Sequence, residues 1–287
     1  MITSENFADY ILLDAGDKEK LESWKGIILR RPDPMAIWPK NKPELWEKAD
    51  AYYHRSSSGG GHWEYARKLP EAWNVSYKDL TFKVSPTNFK HTGLFPEQCA
   101  NWDFIDEKIS AHQGARILNL FAYTGAASMV AAKAGAAEVV HLDASKGINE
   151  WAKENMKLSA LQDKTIRFIV DDALKFTARE IRRGRKYDGI IMDPPSYGRG
   201  PDNELFRFED KINPLIINCM RLLSDDPLFL IINTYTTGYS PTVMYNTLKT
   251  HMEANGFKGE VTADEIGIQI SESPYILPCG QTTRWSK

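Results

Sequence analysis

The run Tyr187-Asp188-Gly189-Ile190-Ile191-Met192 empties into Asp193-Pro194-Pro195-Ser196-Tyr197. A strand that delivers a carboxylate, two prolines and an aromatic to its carboxyl end presents acceptors and a flat face to something planar. The prolines carry no N–H and have fixed φ, so the carbonyls around them sit in a rigid turn with few competing donors. Such a turn suits an exocyclic amine or a ring nitrogen. Asp193 adds a charged acceptor, and Tyr197 can stack on a base or wall a pocket.

Three further sites of the same kind precede it. Leu118-Asn119-Leu120-Phe121-Ala122-Tyr123-Thr124-Gly125-Ala126-Ala127 is a strand followed by a tight turn and a helix, with small residues where a ligand would meet the backbone. Only one glycine stands where a dinucleotide-binding loop shows G-x-G-x-x-G, which favours a ligand without phosphates. The next strand ends in His141-Leu142-Asp143, where a carboxylate can accept from both hydroxyls of a ribose. The third ends in Val170-Asp171-Asp172-Ala173, where a carboxylate can meet the amino group of an adenine. One strand-end acid is commonly a helix N-cap. A series at the ends of consecutive strands converges on the crevice where open α/β sheets bind ligands.

The elements that must position these groups are legible in the hydrophobic periodicity from about residue 89 onward. Strands over 116–121, 138–142, 166–170, 189–192 and 228–233 alternate with helices over 126–134, 148–158, 173–183, 211–223 and 242–255. That is a doubly wound α/β sheet. Two strands over 258–270 and 275–285, joined by the Ser271 to Pro274 turn, close the chain; a dinucleotide-binding fold would end on a parallel strand instead. Residues 1–88 read as a small, mostly β accessory region holding five of the eight tryptophans (Trp24, Trp38, Trp46, Trp63 and Trp73). Short strands over 26–30 and 36–38 flank the Arg31-Pro32-Asp33-Pro34 turn, and Ser56 to Gly61 reads as a flexible loop. Aromatics interleaved with Arg30, Arg31, Arg55, Arg67 and Lys68 could stack on bases, but filling a small core is the better account.

With 42% apolar residues, 26% charged residues and a net charge of −2, the chain is neither disordered nor a polycation. A nucleic-acid substrate would have to be held by local patches. Cys99, Cys219 and Cys279 are far apart without C-x-x-C spacing, which argues against a disulfide framework or a zinc site and fits a reducing cytoplasm. The six histidines show no metal-ligand spacing, so no metal is expected, and His141 reads as core. Neither an export signal nor a membrane span is expected.

Taken together, LNLFAYTGAAS, HLDASK, VDDAL and DPPSYGRG, preceded by His91-Thr92-Gly93-Leu94-Phe95-Pro96-Glu97-Gln98, resemble the class I S-adenosylmethionine-dependent methyltransferases. Within them they are similar to the ribosomal RNA large-subunit methyltransferases of the cytosine C5 and guanine N7 type, which carry a T-G-x-F-x-[DE]-Q signature before the catalytic domain. The likeness covers about residues 86 to 287. It implies a Rossmann-like seven-stranded methyltransferase sheet with a C-terminal antiparallel strand pair, and S-adenosyl-L-methionine as cofactor. It implies that Phe121, Ala122, Tyr123 and Gly125 line the methionine side, with Asn119 and Thr124 of the same segment. Asp143 would hold the ribose, with Ala144 and Ser145 beside it; Asp172 with Ala173, next to Asp171, would meet the adenine. Thr92, Gly93, Leu94, Phe95 and Gln98 would cover the cofactor. Asp193, Pro194, Pro195 and Tyr197 would form the catalytic floor, Asp193 also bordering the cofactor, and ribosomal RNA would be the substrate.

The cytosine C5 chemistry needs a cysteine that attacks the base before methyl transfer. In the family pattern it follows the fifth strand, where this chain has Asn233-Thr234-Tyr235-Thr236-Thr237-Gly238. Cys99 and Cys219 read as apolar fillers. A base nitrogen, which needs alignment and exclusion of water but no covalent step, is therefore the expected target. A cytosine C5 RNA methyltransferase-like enzyme, a small-molecule methyltransferase, a nicotinamide-dependent oxidoreductase and a non-catalytic RNA-binding or assembly protein are the alternatives. Arg179, Arg182, Arg183, Arg185 and Lys186 read as a solvated helix end. Gly198-Arg199-Gly200 reads as a mobile arginine able to clamp a phosphate or carboxylate.

Overall fold

Strands that are apolar on both faces need helices on both sides, and β11 (Gly189–Met192) and β14 (Phe229–Thr234) are buried along their whole lengths. The computed structural model describes residues 1–3, 6–56, 60–87 and 90–287. The expected loop over Ser56 to Gly61 falls partly outside these residues. The chain forms two compact units: Asn101–Glu265 with Gly280–Lys287 and Met1, and Ile2–Ala100 with Ile266–Cys279.

In the second of these, β1 (Tyr10–Gly16), β2 (Glu19–Trp24), β3 (Ile27–Pro32), β4 (Ala51–Arg55) and β5 (Gly61–Tyr65) form one sheet in sequence order. The short helix α1 (Pro43–Trp46) lies between β3 and β4, and β6 (Trp73–Tyr77) and β7 (Leu80–Val84) form a separate hairpin. Its aromatics fill the core: Trp24 is fully buried, and the rings of Tyr10 and Phe7 stand 4.7 and 6.2 Å from it. Arg31 is buried against Glu22, with Nε to Oε2 at 2.6 Å, and Tyr10 donates to Glu22 Oε1 at 2.7 Å. The expected strand over 36–38 does not form. The Ala36 and Trp38 carbonyls instead accept from the Lys18 and Asp17 N–H groups, both at 2.7 Å, at the turn between β1 and β2.

The other unit begins within α2 (Cys99–Ser110) and runs β8 (Arg116–Leu120), α3 (Ala126–Lys133), β9 (Glu138–Asp143), α4 (Lys146–Leu158), β10 (Ile166–Val170), α5 (Ala173–Arg182) and β11. A small ribbon follows, β12 (Tyr197–Arg199) and β13 (Leu205–Arg207), then α6 (Phe208–Leu222), β14, α7 (Pro241–Ala254), β15 (Glu260–Gln269) and β16 (Ile276–Ser286). The sheet order is β10-β9-β8-β11-β14-β16-β15, with the first five strands parallel and β16 antiparallel to β14. This is the expected seven-stranded sheet with its C-terminal strand pair. The order reverses between β8 and β11, so their carboxyl ends border the switch-point crevice. Phe176, Phe208, Leu215, Cys219 and Trp285 are among the side chains buried with the sheet.

Candidate active site

The loop leaving β8 is backbone-strained and heavily braced. Phe121 and Tyr123 have φ of 57° and 50°, and Gly125 follows at 89°. A side chain in this region costs about 1–2 kcal/mol, so two in three residues need compensation. The braces come from three directions. Ala122 N–H donates to the Leu142 carbonyl at 3.0 Å, Tyr123 N–H donates to Asp143 Oδ2 at 3.0 Å, and the buried Asn155 amide of α4 donates to the Thr124 carbonyl at 2.9 Å. Gly125 N-caps α3, and a Cβ there would stand 3.1 Å from Met129 Cε and 3.3 Å from His141 Cε1. Asn119 is buried beneath the loop, its amide donating to Ser128 Oγ at 2.9 Å, and Ser128 Oγ lies 3.0 Å from His141 Nδ1. Burial brings the His141 pKa down to about 3, so its ring is neutral.

The strand-end acids have separate local duties. Asp143 accepts from Tyr123 N–H through Oδ2 and from Ser145 N–H through Oδ1 at 2.9 Å, and burial raises its pKa above the usual carboxylate value. With one backbone donor on each oxygen, the carboxylate keeps further acceptor capacity for a pair of hydroxyls. Asn149 holds the same turn, donating to the Asp143 and Ser145 carbonyls at 3.1 Å. Ser145 caps α4 through Ile148 N–H at 3.3 Å. Asp172 caps α5, accepting from Lys175 N–H at 2.9 Å, and Asp171 pairs with Arg179. Ala173 is buried at the first position of that helix and Ala144 is half-buried.

At the end of β11, Asp193 N–H donates to the Leu120 carbonyl at 3.3 Å, which joins the D-P-P turn to the β8 end. Pro194 is buried and Pro195 exposed. Ser196, between the second proline and the aromatic, accepts from the Thr236 hydroxyl at 2.9 Å, and its carbonyl accepts from Phe208 N–H at 3.1 Å. Tyr197 begins the ribbon and is 57% exposed. Gly198-Arg199-Gly200 is therefore not a loose linker. Arg199 is paired with Leu205 across the ribbon, and Gly198 packs where a Cβ would meet Pro195 Cγ at 3.1 Å. Close approach to the proline ring accounts for Gly198, whereas a Cβ at Gly200 would meet the Glu204 side chain, nearest at its terminal Oε2.

Other candidates resolve into structure. Arg179, Arg183 and Arg185 pair with Asp171, Glu180 and Glu138, and Lys186 donates to the Arg221 and Leu223 carbonyls, while Arg182, Arg183 and Lys186 stay exposed, so the basic run is a solvated helix end that also carries surface pairs. Cys99 and Cys219 are buried, and burial pushes the Cys219 thiol far above its ordinary value, away from thiolate chemistry. Among the described residues no group of three or more His, Cys, Asp or Glu could hold a metal ion, and no helix is long and apolar enough to cross a membrane. In the N-terminal unit Thr92 and Leu94 are buried, Gly93 has φ of 105°, the Phe95 carbonyl accepts from Gln98 N–H at 3.0 Å, and His91 lies over Phe95 with ring centroids 5.3 Å apart.

The bracing roles of Ser128, Asn149, Asn155 and Thr236 escaped the sequence reading, although Ser128, Asn155 and Thr236 stand within its motifs and helices. Asn149 and Asn155 lie on the buried face of α4, where a polar residue needs a specific partner. That was the available signal.

Residues 50–224 match the family S-adenosylmethionine-dependent methyltransferase. A Shewanella baltica ribosomal RNA large subunit methyltransferase K/L is 34% identical over 229 residues, covering 78% of this chain and 30% of that protein. The ribosomal RNA large subunit methyltransferase K of Neisseria meningitidis is 25% identical over 227 residues, covering 76% of this chain and 63% of that protein. The chain thus spans about 30% of the length of the first curated relatives it matches. A crystal structure of a SAM-dependent methyltransferase from Agrobacterium tumefaciens has a TM-score of 0.95 at 35% identity, covering 99% of this chain and 92% of that one. A putative methyltransferase from Streptococcus mutans shares the fold at 18% identity, with a TM-score of 0.74 over 99% of this chain and 76% of that one.

Proposed function

The chain belongs to the S-adenosylmethionine-dependent methyltransferases, and on that premise we propose that it methylates a base nitrogen of RNA, ribosomal RNA foremost, by direct in-line transfer. The cofactor is S-adenosylmethionine, whose sulfonium methyl is already activated, so the protein's task is alignment and exclusion of water. The observation that carries the reading is the D-P-P-S turn itself. It is tied to β8 through Asp193 N–H and to the β14 loop through Ser196, and that β14 loop, Tyr235-Thr236-Thr237-Gly238, contains no cysteine.

In this reading Asp143 accepts from the ribose hydroxyls and the strained Phe121–Gly125 loop receives the methionine part of the cofactor. Asn119 acts from beneath, holding the loop through Ser128 and His141. Asp172 and Ala173, beside Asp171, meet the adenine ring. Asp193 with the Pro194 and Pro195 carbonyls accepts from the target base, and Tyr197 stacks on it. The assignment of Thr92, Gly93, Leu94, Phe95 and Gln98 to the cofactor rests on the T-G-x-F-x-E-Q signature, which lies within the matched span. Residues 1–88 help to position substrate, residues 89–287 carry the reaction, and the protein works in the cytoplasm. The relatives' names support RNA as substrate, and the missing cysteine supports nitrogen over carbon 5.

Labelled methyl transfer onto total RNA, protein and small-molecule extracts in parallel tests this, with nucleoside analysis of any labelled RNA. Label in an N-methylated nucleoside, abolished by Asp193→Ala with S-adenosylhomocysteine binding intact, is expected. Label at cytosine carbon 5, or only in protein or small molecules, overturns it, and no transfer to any fraction favours a non-catalytic role.

A further inference from the structure

The ribbon that follows the D-P-P-S turn has one face packed and one face bare. In the antiparallel register Tyr197 opposes Arg207, Gly198 opposes Phe206 and Arg199 opposes Leu205. Side chains alternate along a strand, so Tyr197, Arg207, Arg199 and Leu205 share one face while Phe206 occupies the other. The burial agrees. Phe206 is 5% exposed and packs edge-on against Phe121 of the β8 loop, ring centroids 5.1 Å apart, whereas Tyr197 and Leu205 are exposed hydrophobics and both arginines are exposed.

Among the described residues neither Arg199 nor Arg207 makes an ion pair or a side-chain hydrogen bond. The acids nearest in sequence do not change this. Glu204 and Asp202, at the ribbon's turn, are taken by Lys175, and Glu209 and Asp210 lie in the first turn of α6 without pairing to Arg207. Two unpartnered guanidinium groups flanking an exposed tyrosine are matched to a phosphodiester chain carrying an unstacked base. Guanidinium forks bind phosphate oxygens bidentately, and an aromatic face accepts any base. Cβ atoms directly across the ribbon are about 5 Å apart, and those two residues along it about 7 Å, so one short stretch of strand meets all three groups.

We propose that the outer face of this ribbon, Tyr197 with Arg199 and Arg207, is a binding site for single-stranded RNA that delivers the target nucleotide to the adjoining D-P-P-S turn. The proposal rests on the reading of RNA as substrate and supplies the local patch that a net charge of −2 otherwise lacks. Because Phe206 touches Phe121 on the opposite face, strand binding on the ribbon is in direct packing continuity with the cofactor loop.

The test uses the full chain and a fluorescein-labelled single-stranded RNA dodecamer, read by anisotropy across a salt series. The double variant R199A/R207A is expected to bind roughly tenfold or more weakly, with the slope of log affinity against log salt reduced by about 1.4, two single-strand phosphate contacts' worth. Tyr197→Ala is expected to lose roughly ten- to a hundredfold with the slope unchanged. S-adenosylhomocysteine binding by calorimetry stays at the parent value in R199A/R207A, which separates a lost surface from a misfolded chain. No RNA binding by the parent, equal affinity and slope in parent and double variant, or stronger binding to duplex than to single strand overturns the proposal. Ribbon-dependent RNA binding without methyl transfer to RNA removes the reading of the reaction and leaves this site standing; transfer to RNA with ribbon-independent affinity does the reverse.

Discussion

The Thr236 hydroxyl donates to Ser196 Oγ at 2.9 Å, which ties the turn after β11 to the loop after β14. These strands are neighbours in the sheet but forty positions apart at this contact. Ser196, the residue that sets this turn apart by standing between the second proline and the aromatic, is thus a brace: its hydroxyl holds one loop and its carbonyl holds the start of α6.

Removing either half of that brace should loosen the D-P-P-S turn without touching the Phe121–Gly125 loop. Ser196→Ala and Thr236→Ala are each expected to lower methyl transfer roughly fivefold, the loss of one neutral hydrogen bond of about 1 kcal/mol. The double variant should be no worse than either single, because both remove the same contact. Steady-state transfer alongside calorimetry with S-adenosylhomocysteine checks this, and additive losses would sink it.

Asp143→Asn should weaken S-adenosylhomocysteine roughly ten- to a hundredfold, as expected for hydrogen bonds to a charged acceptor worth about 1.5–3 kcal/mol. Burial holds the Asp143 carboxyl above the ordinary value, so the charged acceptor is lost on acidification sooner than an exposed aspartate would be. Parent affinity should therefore decline as the pH is lowered from about 7 toward about 4, and the asparagine variant should lack that limb. Calorimetry across the range decides it. Parallel pH curves would contradict the assignment of Asp143.

Gly125→Ala places a Cβ at a φ of 89° and within 3.1 to 3.3 Å of Met129, Ala152 and His141. The left-handed backbone alone costs about 1–2 kcal/mol. A fall in Tm of about 2–8 °C is expected, with weaker S-adenosylhomocysteine binding because the same loop carries Phe121 to Thr124. An unchanged melting curve would mean that the loop relaxes freely.

In the N-terminal unit, Glu22→Gln leaves the buried Arg31 guanidinium without its counter-charge, an effect of about 3–5 kcal/mol. Burial opposes the charge on Glu22, but Arg31 and Lys20 outweigh it and hold the carboxyl at about 2. A depressed carboxyl contributes stability that is complete above its unfolded value of about 4.3 and disappears as pH falls from there toward 2. Denaturant unfolding at about pH 7 and about pH 3 should show the parent losing stability over this window and the variant losing less. Equal acid sensitivity of the two would contradict the pair's role.

The alternation of elements and every central strand were legible because buried parallel strands read as short apolar runs and their helices as periodic ones. The β12–β13 ribbon was not, since Tyr197–Arg199 and Leu205–Arg207 are too short to show a period and Gly198 with the following Gly200 imitates a loop. Ala36–Trp38 read as a strand for the opposite reason: three residues of the right composition carry no information about which backbone they bond. The pairing of Arg185 with Glu138 was not legible, because the two are 47 residues apart and only the sheet brings the start of β9 beside the end of α5.

Local chemistry thus determined the sheet type, the strand ends at which the acids stand, and the absence of a cysteine from the loop directly after β14, each a property of a few consecutive residues. Only the tertiary structure decided which strand-end acid does what. Asp143 turns both oxygens to its own and the neighbouring loop, Asp171 pairs with Arg179, and Asp172 caps α5 through one oxygen. It also decided that Ser196 answers Thr236 and that Tyr197, Arg199 and Arg207 share a face. Such relations depend on strand register and on distance through space, and neither is written in the order of residues along the chain.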